Sequence, residues 1–119
     1  MKQLLMVEGL RVISCVSEGG VLECVGVVDP SHRFLTDHFP DNPTVPGFLQ
    51  LEWILKLLSF NRYVAQTGFL IEQMKLLRRL RGSETIRIVL NKVAVDEERF
   101  ECSILMDEQR VMVGVVRHL

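Results

Sequence analysis

No stretch of this 119-residue chain is long and apolar enough to read as a membrane span, because even its most apolar segment, Phe48 to Phe60, is interrupted by Glu52 and Lys56. The opening run from Met1 to Val7 is stopped by Glu8 and Arg11 and has no small-residue cleavage site, so it does not read as a signal peptide. An excess of basic charge is also missing. The formal net charge is -1, which argues against a nucleic-acid partner. Cysteine is scarce: Cys15, Cys24 and Cys102 are odd in number, follow no metal-ligand spacing, and are expected to be reduced core thiols. There is no internal repeat, linker or low-complexity tract. The expectation is one soluble, cytoplasmic domain over residues 1–119, with no membrane and no nucleic acid among its partners.

What the chain does have is enough apolar material, 48% of its residues, for a sizeable core. Val21 to Val28 follows the Gly19-Gly20 break, is rich in β-branched residues, and reads as a strand in a hairpin with Leu10–Ser14. A helix is expected from about Gly47 to Ala65, apolar nearly all round its circumference and therefore buried. After Gly68, the segments Phe69–Leu77, Glu84–Leu90, Arg99–Met106 and Arg110–Arg117 read as strands. Polar turns at Asp96-Glu97-Glu98 and Asp107-Glu108-Gln109 make the last three an antiparallel meander. The predicted class is α+β: an antiparallel sheet of about six strands curled around one long buried central helix.

Function concentrates around His38. Prolines at 40, 43 and 46 fix their own φ and hold the preceding residues extended, so His38 stands at the rim of a stiff turn. An imidazole can accept a proton near neutral pH, and Glu52 follows about one and a half turns into the helix. In a buried helix, desolvation favours the neutral, proton-donating carboxyl. The first helical turn, beginning near Gly47, directs backbone N–H groups and the positive end of the helix dipole at the same place, where an oxyanion would develop. The pattern is that of a two-residue acid/base site.

His38-Phe39-Pro40, Pro43 and Pro46-Gly47, with an acid fourteen residues after His38, resemble the signature of the β-hydroxyacyl-acyl carrier protein dehydratases. The resemblance implies the hotdog fold. Met74 to Glu84 is similar, more weakly, to that family's strand and basic turn. The wording Leu49-Gln50-Leu51-Glu52-Trp53 resembles the small dehydratases of aryl polyene clusters, which often carry Gln-Leu-Asp-Trp here. The resemblance implies dehydration of a 3-hydroxyacyl thioester, carried on an acyl carrier protein, to the trans-2-enoyl thioester, in fatty-acid or aryl polyene biosynthesis. It assigns His38 as the base that takes the α-proton, Glu52 as the acid that protonates the departing hydroxyl, and the Gly47 amide to the thioester oxygen. It also implies a homodimer with shared active sites, open to higher order, and neither metal nor cofactor. Two residues depart from the family pattern. Asp41 replaces the usual glycine, and Lys56 stands where many relatives place a glutamine, one turn after Glu52 and placed to pair with it.

Plainer readings stand beside these. His38 and Glu52 would also serve as a buried pair that merely orders the turn, and Gly47 as a site of close helix packing. Lys75, Arg78, Arg79 and Arg81 either dock an acidic carrier protein or form a solvated face. His32 and His118 lie outside the motif and read as surface or terminal residues. The helix leucines and Phe48/Trp53 read as core and dimer interface before acyl-tunnel lining. The alternative functions are a hotdog acyl thioesterase and a non-catalytic acyl-binding partner.

Overall fold

A computed structural model describes residues 5–32, 44–60, 68–94 and 97–118. The elements are β1 (Leu5–Val7), β2 (Leu10–Glu18), β3 (Val21–Val28), α1 (Gly47–Phe60), β4 (Phe69–Leu76), β5 (Thr85–Ala94), β6 (Glu97–Met106) and β7 (Gln109–His118). All seven strands form one antiparallel sheet in the order β1-β2-β3-β5-β6-β7-β4. Six are long. The three-residue β1 was not expected, because too few residues carry it for any alternation to show.

Turn chemistry sets the register. Gly19 and Gly20 both have positive φ and close the β2–β3 hairpin as a two-residue turn, pairing Glu18 with Val21. Asp107 and Glu108 do the same between β6 and β7, and β5, β6 and β7 form the expected meander, although Glu97 and Glu98, expected in a turn, already belong to β6 and Asp96 lies outside the described residues. β4 follows α1 in the chain but lies at the far edge of the sheet, paired only with β7 among the described residues.

One face of the sheet is the core. β3 alternates strictly, burying Leu22, Cys24 and Val28, and Ile86, Ile88, Leu90, Phe100, Ile104 and Met112 continue that layer across its neighbours. α1 covers the layer with Leu49, Trp53, Ile54, Leu57 and Leu58, at the spacing that keeps them on one helical face. Each such side chain contributes about 1.5–3 kcal/mol on burial, so the set matches the whole net stability of an ordinary domain, about 5–15 kcal/mol. Docking of α1 is therefore inseparable from folding. This is the α+β hotdog arrangement.

Two expectations are corrected here. α1 is not apolar and buried all round: Phe48, Glu52, Lys56 and Phe60, four residues apart, form an outward ridge, with Phe48 and Phe60 both more than half exposed. Its expected continuation to Ala65 lies outside the described residues. Nor are all three cysteines reduced, since Cys15 and Cys24 stand opposite each other on β2 and β3 and form a disulfide. Cys102 is the buried free thiol, and burial pushes its pKa up to about 12, away from the reactive thiolate.

Candidate active site

His38 and Asp41 fall outside the described residues, so the site is built from the segment that follows them. Val45 is buried, and its N–H donates to Leu80 O at 2.7 Å, which pins the exit of the proline turn to the loop after β4. Pro46 O then accepts from the N–H groups of Leu49 and Gln50, at 3.1 and 3.3 Å, and starts α1. The buried Gln50 side chain turns back on this start, its Nε2 donating to Val45 O at 3.2 Å, while its Oε1 has no partner among the described residues.

Gly47, the first residue of α1, is packed closely: a Cβ there would lie 2.9 Å from Leu76 Cδ1 and 3.4 Å from Met74 Cε of β4. The close-packing role is real for this glycine. It also means that the first turn of α1 abuts the end of β4, from which the basic stretch departs. Lys75, Arg78, Arg79 and Arg81 are all exposed, and none pairs with a carboxylate among the described residues. Buried Leu80 anchors their loop, and the Leu77 and Arg78 N–H groups both donate to Val111 O. The structure thus brings the cationic loop and the beginning of α1 together.

Glu52 differs from expectation. Its side chain is 42% exposed in the single chain, not buried, because position 52 falls on the outward ridge of α1. Lys56 Nζ lies 3.1 Å from Glu52 Oε1, the i,i+4 pair that the sequence allowed. A pair of this kind is worth about 0.3–0.5 kcal/mol, roughly a factor of two in an equilibrium. As an acid, Glu52 must take up a proton and release Lys56, and so small an energy does not prevent it.

The pair does not end at Lys56. Glu8, in the turn between β1 and β2, places Oε1 4.0 Å from Lys56 Nζ and Oε2 3.4 Å from His32 Nε2. Glu8 O accepts the indole N–H of fully buried Trp53 at 2.7 Å, which fixes this turn to α1. His32 is corrected from a surface residue to one only 17% exposed in its side chain. Its ring lies against Gly9, where a Cβ would meet His32 Cγ at 3.0 Å and where φ is positive, so glycine is needed twice over. Asp29 accepts from Ser31 N–H and Oγ–H, and these bonds, with smaller help from His32 and Arg11, hold its carboxyl below the usual range. His118 likewise is not a loose terminal residue, since its ring packs edge-on against Phe69 at 5.2 Å.

Glu8 and His32 are the residues that reading the sequence missed. Their meeting depends on β1 and on the 29–32 turn, neither of which leaves a periodic signal. Shallow hollows elsewhere, on the outer face of the sheet beside Gln73, Asn91, Glu101 and Arg110, contain neither Gly47 nor Glu52. Among the described residues no group of His, Cys, Asp and Glu is arranged to hold a metal. No described helix is long and apolar enough to cross a membrane.

Similar folds are found in several solved structures. The dehydratase heterocomplex ApeI:P from Xenorhabdus doucetiae has a chain that matches with a TM-score of 0.75 and 19% identity over 89% of this chain and 94% of that one. The PaaI protein of E. coli, from the phenylacetic acid degradation operon, gives 0.63 and 12% identity over 92% and 83%. Zebrafish thioesterase superfamily member 2 gives 0.62 and 12% over 93% and 81%. No curated protein sequence matches. Together, the sheet, the helix α1 and these neighbours define the fold, that of the hotdog proteins. Within it, residues 16–115 match the ApeI-like family, described as ApeI dehydratase, and the chain belongs to that family.

Proposed function

We propose that this protein dehydrates a 3-hydroxyacyl thioester, delivered on an acyl carrier protein, to the trans-2-enoyl thioester. The observation that carries the reading is the placement of Glu52 on the outward ridge of α1, in a chain of the ApeI-like dehydratase family, fourteen residues after His38. His38 takes the α-proton, and the thioester oxygen gains enolate charge against the Gly47 amide. The Cα=Cβ bond forms as the Cβ–O bond breaks, with Glu52 giving its proton to the departing hydroxyl to make water. Glu52 ends as a carboxylate, and Lys56 stands ready to receive it.

Assembly follows from what is left uncovered. The ridge residues Phe48 and Phe60 are exposed, and so are Leu70, Ile71 and Leu76 on the edge strand β4. An apolar edge with free backbone groups invites a second sheet. A second copy of this chain is the proposed occupant, contributing His38 to the neighbour's Glu52. Because an ApeI relative was solved as a heterocomplex, a different hotdog chain is the competing occupant. Mixing inactive His38→Ala with inactive Glu52→Gln protein should restore part of the activity through subunit exchange. No recovery, with exchange shown by native mass spectrometry, places each site within one chain.

The decisive test incubates the protein with 3-hydroxyacyl-carrier substrates and follows the loss of water by mass. Release of free acid instead of enoyl product would establish the thioesterase alternative. Binding without turnover would establish the non-catalytic acyl-binding one.

A further inference from the structure

Glu52 does not hold its ammonium alone. Lys56 lies between two carboxylates, Glu52 at 3.1 Å on its own helix and Glu8 at 4.0 Å from the β1–β2 turn, and Glu8 is held on its far side by His32 at 3.4 Å. Nothing about the packing of Trp53 or the turn requires this order of charges. The turn is already fixed by the Trp53 indole bond to Glu8 O and by the Asp29 N–H bond to Gly9 O at 2.8 Å, both through backbone atoms. The Glu8 side chain is therefore left to its two ion-pair partners, His32 and Lys56. It is 45% exposed, yet directed along α1 toward Lys56.

We infer that Glu8 is a positioning residue for the acid: by sharing Lys56 it loosens the ammonium's grip on Glu52 and makes the proton-carrying form of Glu52 easier to reach. The inference rests on the reading of Glu52 as the acid. The same carboxylate reaches His32, the last described residue before the segment 33–43 that carries His38. One side chain thus touches both the root of the base-bearing segment and the helix that bears the acid.

Lys56 faces Glu8 from α1, His32 faces it from the 29–32 turn, and His32 and Arg11 both act on Asp29. The sign of each perturbation follows from Coulomb's law. Removing Lys56 takes a positive charge from Glu52, so the carboxyl should keep its proton to higher pH. Removing the charge of Glu8 leaves Lys56 wholly to Glu52, so the carboxyl should lose its proton at lower pH. The two variants are predicted to move in opposite directions, which a merely structural residue would not produce.

The experiment is a carbon-13 carboxyl NMR titration of Glu52 in the unmodified protein, in Lys56→Met, in Glu8→Gln and in the double variant, with a pH–rate profile on 3-hydroxyoctanoyl-acyl carrier protein. Lys56→Met should move the Glu52 transition to higher pH. Glu8→Gln should move it down by less, and in the Lys56→Met background most of that effect should vanish. Movement in the same direction, or an equal Glu8 effect with and without Lys56, overturns the inference. If Glu8→Gln does not fold, Glu8→Asp, which withdraws the carboxylate from Lys56 but keeps its charge, must still move the transition down. Full activity in Glu52→Gln would overturn the acid role itself, and the NMR result would stand apart from that outcome.

Discussion

The two faces of α1 are built from the same fourteen residues under opposite rules. Inward, Leu49, Trp53, Ile54, Leu57 and Leu58 are completely buried, and every one is explained by packing. Outward, the ridge sets a charged pair, Glu52–Lys56, between two apolar ends, Phe48 and Phe60, which are exposed. Two phenylalanines more than half exposed, flanking an ion pair, leave apolar surface in water. The inner face thus answers to stability, while the outer face is the one on which the proposed chemistry and the proposed partner both fall.

The comparison can be broken most forcefully at Glu52. Glu52→Gln should lower turnover by roughly 10²–10⁴-fold and leave the unfolding midpoint in urea nearly unchanged, since the lost pair is a surface one. His38→Ala should do the same, and the double variant should be little worse than either. Near-full activity in His38→Ala ends the dehydratase reading. Trp53→Ala is the reverse experiment on the inner face. It removes a wholly buried ring together with its bond to Glu8 O and should cost about 3–5 kcal/mol of stability by denaturant unfolding. A loss under 1 kcal/mol would deny the inner face its role. The smallest effect belongs to the cationic loop. Reversing Arg78 and Arg79 to Glu should raise KM several-fold for a carrier-bound substrate, more at low salt, and leave a short thioester mimic unaffected. Equal losses on both substrates would assign this loop a structural role.

The sheet was largely legible in the sequence and this division of α1 was not, for identifiable reasons. Strands β2 to β7 were announced by alternation and turn residues, because half-buried strands leave a period of two. The outward ridge was missed because Phe48 and Phe60 look like core residues when only hydropathy is counted, whereas their spacing of four from Glu52 and Lys56 already put all of them on one line. The disulfide was within reach as well. A two-residue turn at Gly19-Gly20 pairs Glu18 with Val21, and three further steps out along each strand bring Cys15 opposite Cys24. Counting cysteines, without counting register, hid it. By contrast, the meeting of Glu8 with His32 and Lys56 joins three segments that no local rule connects. The position of His38 rests on its motif, since it lies outside the described residues.

Trp53 is the chain's sole tryptophan, and its indole is both wholly enclosed and bonded to the residue whose side chain reaches Lys56 and His32. The intrinsic fluorescence of the protein therefore comes almost entirely from one dry ring that sits one position along the helix from Glu52. Emission colour and quenching will register a change in this corner of the molecule without any label. Titrating acyl ligands while watching that single emitter turns the protein into its own optical gauge.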